Sequence, residues 1–130
     1  MGHQAVMLRT QYRCHPRISA IPNDLFYQGQ LRDGVTEVNR PALVPGVPPL
    51  VFVDVPQGCE QMNSGGSYYN DAEAGVLASL IEELLAGGLE AQDIGVITLY
   101  KAQLNCLTDK LANNKYVAVE IKRLGKALVW

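Results

Sequence analysis

The chain has 130 residues, 48% hydrophobic and 18% charged, with a formal net charge of −2. These values fit one globular domain of ordinary size and exclude a disordered or fibrous chain. So small a net charge singles out neither nucleic acid nor membrane as a partner. Its distribution is more informative. Residues 1–40 sum to +2, residues 41–99 to −8 with no Lys or Arg, and residues 100–130 to +4. Two basic ends flank an acidic middle, which gives a positive surface only where the ends converge.

Along the chain, apolar and breaker residues alternate in a βα rhythm. Ala5 to Leu8 is a short apolar run that predicts a strand leading into the polar loop from Arg9. Pro16 suits the first turn of a helix, where a missing N–H costs nothing, and Ile18, Ile21, Leu25 and Phe26 follow at helical spacing, predicting an amphipathic helix over 16–28 that ends at Gly29. Residues 29–49, with Pro41, Pro45, Pro48 and Pro49, read as an excursion. The continuous apolar run Leu50 to Val55 predicts a buried parallel strand closed by Asp54, and Gly58 to Gly66 reads as a loop.

Asn70, Asp71 and Glu73 precede an apolar stripe from Val76 to Leu85 that Gly87 and Gly88 terminate, so a helix is expected there. Ile94 to Tyr100 predicts a strand. Leu104, Leu107 and Leu111 mark a helix over 102–112 stopped at Asn113 and Asn114, and Tyr116 to Ile121 predicts a last strand. Strands alternating with helices imply an α/β fold with a parallel sheet covered by helices on both faces.

Cys14, Cys59 and Cys106 form no CxxC pair, and His3 and His15 are the only histidines, so a four-ligand zinc site is not expected and no metal ligands are assigned. The start Met1-Gly2-His3-Gln4 lacks the apolar stretch of a signal peptide. No apolar run approaches the roughly 20 residues of a membrane span. Reduced thiols and a soluble intracellular protein without a membrane partner are the expectation. The chain carries no GxxxxGK[ST] loop, no GxGxxG after a strand, no GxSxG elbow and no HExxH.

The most distinctive string is Gln11-Tyr12-Arg13-Cys14-His15-Pro16, between a predicted strand and a predicted helix. Ligands of parallel sheets bind at the carboxyl ends of strands. A tyrosine there can stack on a planar base, and a guanidinium can clamp a phosphate. From spacing alone the plainer reading is a tyrosine packed at a helix entry and an arginine in a surface ion pair. Asn70 with Glu73 reads as a helix cap resembling a capping box. Asp54 reads as structural, and His15 as packed or capping.

The stretch from Leu8 to Val35 resembles motif IV of superfamily 1 helicases of the RNA-surveillance type, of the form QYRMHPxIsxfpsxxFYxgxLxdGV. Ser67-Tyr68-Tyr69-Asn70-Asp71-Ala72-Glu73-Ala74 resembles the family's SyxNxxEA, and Ile94 to Gln103 resembles its IgviTPYxxQ. The three occur in the family's order. Their spelling is closest to the branch carrying a GRF-type zinc finger. Leu99 stands where the family has Pro, and Cys14 where it has Met.

The resemblance implies the second RecA-like motor domain of such a helicase, with a P-loop NTPase-type parallel sheet. It covers residues 1–121 as a partial domain, and residues 122–130 read as a divergent tail, since the family's later VDxFQGxE and VAxTRA strings do not occur. It implies that Tyr12 stacks on adenine, that Arg13 reaches the γ-phosphate as the catalytic arginine finger, and that Gln11 supports them. Thr98, Tyr100, Lys101 and Gln103 would meet single-stranded DNA or RNA. ATP with Mg would bind only together with the first RecA-like domain of an intact 5′-to-3′ helicase, in the nucleus or cytoplasm. The alternative is a non-catalytic module that binds nucleic acid or protein.

Overall fold

The computed structural model describes residues 6–112 and 119–123. The chain divides into two compact units, Met1–Val53 and Asp54–Trp130. Both have the α/β character expected, and their parallel strands pair two by two.

In the first unit, β1 (Thr10–Gln11) pairs in parallel with β2 (Arg32–Asp33), Thr10 opposite Arg32 and Gln11 opposite Asp33. The crossover between them is α1 (Pro16–Phe26). His15 caps α1: its Nδ1 accepts the Arg17 N–H at 3.0 Å, and Pro16 occupies the first turn. After α1 the chain turns through Gln28 and Gly29, both at positive φ. The Asn23 amide then returns it towards β2, accepting from the Leu31 N–H at 2.8 Å and donating to the Leu31 carbonyl at 3.1 Å.

Of the strand predicted at Ala5–Leu8, Ala5 lies outside the described residues, and residues 6–8 are in no strand, with Val6 and Leu8 exposed. The ladder begins only where the Arg9 carbonyl accepts the Arg32 N–H, one residue before β1. The α1 stripe has helical spacing but stays open, with Leu25 69% and Phe26 76% exposed. A two-stranded sheet offers too little surface to cover it.

The second unit opens with a hairpin, β3 (Gln61–Met62) antiparallel to β4 (Tyr68–Tyr69), whose first strand and turn lie inside the segment expected to be loop. Asn63 closes its turn: its side-chain oxygen accepts the N–H groups of Gly65 and Ser67, both at 3.0 Å. Next comes α2 (Asp71–Ala86). At its end Leu89 N–H reaches the Leu84 carbonyl and Gly88 N–H the Leu85 carbonyl, a Schellman turn in which Gly88 takes φ +96°. A short 3-10 turn (Ala91–Asp93) leads into β5 (Gly95–Thr98), and α3 (Lys101–Lys110) follows. β6 (Glu120–Arg123) then pairs in parallel with β5, Val96 opposite Ile121.

The core of this unit is built from Ala74 and Ile81 of α2, Ile94 and Val96 at β5, Leu107 and Leu111 at α3, and Val119. Val96 is buried while its neighbour Ile97 is 67% exposed, so the helices cover one face of β5. The Asp71 carboxylate binds Lys110 Nζ at 2.9 Å, joining the start of α2 to the end of α3.

Two strand expectations are corrected. The run Leu50 to Val55 is not a strand, and Phe52 is 90% exposed. An apolar run suits burial, but a strand needs a paired neighbour, and the described strands pair only with one another. Asp54 is accordingly an exposed residue of an irregular segment. The last strand runs from Glu120 through Lys122 and Arg123, into the stretch expected to be tail, while residues 113–118 and 124–130 lie outside the described residues.

Leu107, 2% exposed, and Leu25, 69% exposed, separate the two situations. Leu107→Ala is expected to cost about 2–5 kcal/mol of stability in urea unfolding. Leu25→Ala should change it by less than about 0.5 kcal/mol.

Candidate functional site

The chemistry-bearing residues fall into two groups, one in each unit. In the first, Gln11 ends β1 and organises the loop that follows. Its side-chain oxygen accepts the N–H groups of Arg13 and Cys14, both at 2.9 Å, and its amide nitrogen donates to the Cys14 carbonyl at 3.0 Å and to Asp33 Oδ1 at 2.5 Å. One amide thereby satisfies a turn of backbone that belongs to neither strand nor helix. Arg40 holds the other side of the turn, with Nε donating to the Arg13 carbonyl and Nη2 to the Tyr12 carbonyl, each at 3.3 Å.

With its backbone fixed in this way, the loop presents its two distinctive side chains outward. Tyr12 is 64% exposed, and Arg13 is exposed. The Tyr12 ring lies over Gly34, where an added Cβ would sit 2.2 Å from Cε1. Any larger residue at Gly34 must displace the ring. Arg40 and Gly34 were not singled out from the sequence. The Gly-Val ending of the first motif was the available signal for Gly34, whereas Arg40 is identified only by its two carbonyl contacts.

Beneath the loop, Asp33 also accepts the Ser19 hydroxyl at 2.6 Å. The Ser19 bond first, and then the Gln11 bond, hold its carboxyl below the ordinary value of 3.8. A depressed folded-state pKa makes these bonds stabilising at pH above about 3.8, and their contribution is lost as pH falls below that through the folded value. An acid titration of the near-ultraviolet tyrosine signal should therefore show a loop transition below about pH 3.8 that Asp33→Asn removes.

The second group surrounds the β5–α3 turn. Thr98 ends β5, Tyr100 is the N-cap of α3, and Lys101 is exposed in its first turn. Tyr100 gives α3 no side-chain cap; instead Ser67, just before β4, accepts the Ala102 N–H at 3.0 Å. Gln103 returns the favour to α2. Its side-chain oxygen accepts the Asn70 N–H at 2.7 Å and its nitrogen donates to the Asn70 carbonyl at 3.3 Å. Asn70 is itself the α2 cap, accepting the Glu73 N–H at 3.2 Å and donating to Glu73 Oε1 at 3.0 Å. The helix-cap reading of this pair is what the geometry shows, with Gln103 taking the backbone N–H that a capping box would give to the glutamate.

These bonds bring Tyr68 against Tyr100, ring centroids 5.7 Å apart and nearly perpendicular at 81°. The two rings line a cavity of about 370 Å³ together with Glu60, Glu73, Thr98 and Gln103. The sequence reading had brought together Thr98, Tyr100, Lys101 and Gln103, and they are adjacent here. Of them, Thr98 and Gln103 are half-buried, and Gln103 is bonded to the backbone of Asn70. Tyr68 and Glu60 were missed.

Among the described residues no group of three or more His, Cys, Asp or Glu is arranged to hold a metal ion, and no helix is long and apolar enough to cross a membrane. Cys106, half-buried beside Asp71, has its thiol pushed up by burial and then by that carboxylate. It is therefore a poor nucleophile.

Gln103→Ala would leave the partly buried Asn70 N–H without its acceptor, and a stability loss of about 1–3 kcal/mol is expected in chemical denaturation.

A family model described as an AAA domain matches residues 1–124. The mouse protein 5'-3' DNA helicase ZGRF1 is 52% identical over 104 residues, which are 80% of this chain and 6% of that protein. The Arabidopsis thaliana regulator of nonsense transcripts 1 homolog is 36% identical over 122 residues, 88% of this chain and 10% of its own length. The Saccharomyces cerevisiae ATP-dependent helicase NAM7 is 33% identical over 111 residues, 79% of this chain and 11% of its own. The chain thus spans about a tenth or less of the curated relatives it matches. It belongs to the AAA-domain family found in these superfamily 1 helicases, with the α/β character of a RecA-like helicase domain.

Proposed function

We propose that this chain forms part of the second motor domain of an ATP-dependent superfamily 1 helicase that moves 5′ to 3′ along single-stranded DNA or RNA. The observation that carries the reading is the Gln11-braced loop, which exposes Tyr12 and Arg13 side by side at the end of β1. A parallel strand followed by such a loop is where nucleotides bind in α/β proteins. The names of two relatives, a DNA helicase and an ATP-dependent helicase, agree with it.

In this reading the open face of Tyr12 stacks on the adenine, and Arg13 reaches the γ-phosphate. ATP held in a cleft against the first motor domain would bring its Mg ion with it, bound to the phosphates. Gln11 and Arg40 act through the loop: their polar groups engage its backbone and hold Tyr12 and Arg13 in place. An arginine placed on the transferring phosphoryl stabilises charge that grows in the transition state. In the second unit, Thr98 and Lys101 meet backbone phosphates and Tyr100 a base, while Gln103 positions the turn.

The test is ATP turnover by a helicase that carries this segment. Arg13→Ala should lower the rate by roughly 10³-fold or more. Tyr12→Ala should weaken nucleotide binding. Steady hydrolysis by the 130-residue chain alone, abolished by Arg13→Ala, would overturn the division of labour between two motor domains.

A further inference from the structure

We propose that the cavity beside the β5–α3 turn holds one unpaired base, with Tyr68 as its second aromatic wall and the carboxylates of Glu60 and Glu73 selecting bases that carry an amino group. This rests on reading the turn as a single-strand contact, and adds which part of the strand enters.

At about 370 Å³ the cavity lies within the range of small-molecule sites and has room for a base. Three tyrosines line it, Tyr68, Tyr69 and Tyr100, and the two whose rings touch are Tyr68, 37% exposed, and Tyr100, 48% exposed. Their edge-to-face contact leaves ring surface on which a base can stack without separating them. The residues on either side of the β4 tyrosine pair are both tied to α3, Ser67 at the Ala102 N–H and Asn70 at the Gln103 amide. Tyr68 is therefore held relative to Tyr100 before any ligand arrives, which lowers the cost of ordering it on binding.

Charge decides which end of a nucleotide enters. Glu60 and Glu73 line the same cavity, so a phosphate is repelled there. A carboxylate accepts hydrogen bonds from an exocyclic amino group, as it does from cytosine N4. Cytosine, adenine and guanine have such a group; thymine and uracil present carbonyls instead. Glu73 already accepts from Asn70 Nδ2 at 3.0 Å, but a carboxylate has further acceptor positions. Lys101, exposed on the first turn of α3, supplies the cation for the phosphate that stays outside.

The experiment is fluorescence anisotropy of the full chain with labelled single strands of about 10 nucleotides, oligo-dC and oligo-dT, at neutral pH and low salt. Binding of oligo-dC should be several-fold tighter than that of oligo-dT. Tyr68→Leu, which keeps the apolar bulk but removes the ring, should weaken oligo-dC binding about tenfold, and Tyr68→Phe should restore it. Glu60→Gln combined with Glu73→Gln should narrow the gap between the two strands. Circular-dichroism melts establish that each variant is folded. If Lys101→Ala weakens binding while folded Tyr68→Leu does not, the cavity proposal fails and the single-strand reading stands. Equal affinity for the two strands overturns the assignment to the carboxylates. If no strand binds, both readings fail.

Discussion

Two helices in the second unit begin close together, and each start takes a hydrogen bond from a residue distant in sequence. Ser67, at the entry to β4, accepts the Ala102 N–H of α3, and Gln103 of α3 takes both the N–H and the carbonyl of Asn70, the cap of α2. A helix start leaves about four N–H groups unsatisfied. Here two of the starts are resolved jointly, by residues 33 and 35 positions apart. The Asp71–Lys110 pair joins the same two helices where α2 starts and α3 ends. Between these ties the apolar residues of α2, β5 and α3 interlock, and Tyr68 is brought against Tyr100.

The first unit is held by a different kind of contact. Among its described residues the buried side chains are His15 and Ser19, both polar, and its centre is the chain of bonds from Gln11 to Asp33 to Ser19. The apolar side chains of α1 remain open instead. Polar networks of this kind contribute modestly to net stability, because each bond replaces one made with water, but they fix geometry closely once every member is satisfied. A loop that must hold an aromatic ring and a guanidinium in set positions has more use for geometry than for a large apolar core. The absence of a Cβ at Gly34 serves the same end from below, giving the Tyr12 ring its place.

How much of this was legible depends on the element. The α2 helix was readable from end to end, because its signals are local: Asn70 and Glu73 at the start, a stripe from Val76 to Leu85, and Gly88 in the left-handed turn at the end. The β3–β4 hairpin was not, since its strands are two residues long and embedded among glycines, although the turn from Asn63 to Gly66 between Gln61-Met62 and Tyr68-Tyr69 carried the signal. The run Leu50 to Val55 was readable as apolar but not as unpaired. The motif residues Tyr12, Arg13, Tyr100 and Lys101 were named as candidates from the sequence, and all four are exposed. Gln11 and Gln103 were named as well, but their engagement with the backbone was not foreseen.

From the sequence alone came the α/β class, the three helices and the ordered motifs of a superfamily 1 helicase, because spacing, caps and glycines act within one or two turns of chain. Tertiary structure decided which polar groups are free to meet a ligand and which are already engaged. A glutamine has the same letter whether its amide faces solvent or, like that of Gln103, closes a helix cap from 33 residues away. Tertiary structure also decided that Tyr68 packs edge-to-face against Tyr100 at the wall of a cavity lined as well by Glu60 and Glu73. Hydrogen-bond satisfaction and burial belong to pairs of residues distant in sequence, so neither can be read from the residue or its immediate neighbours.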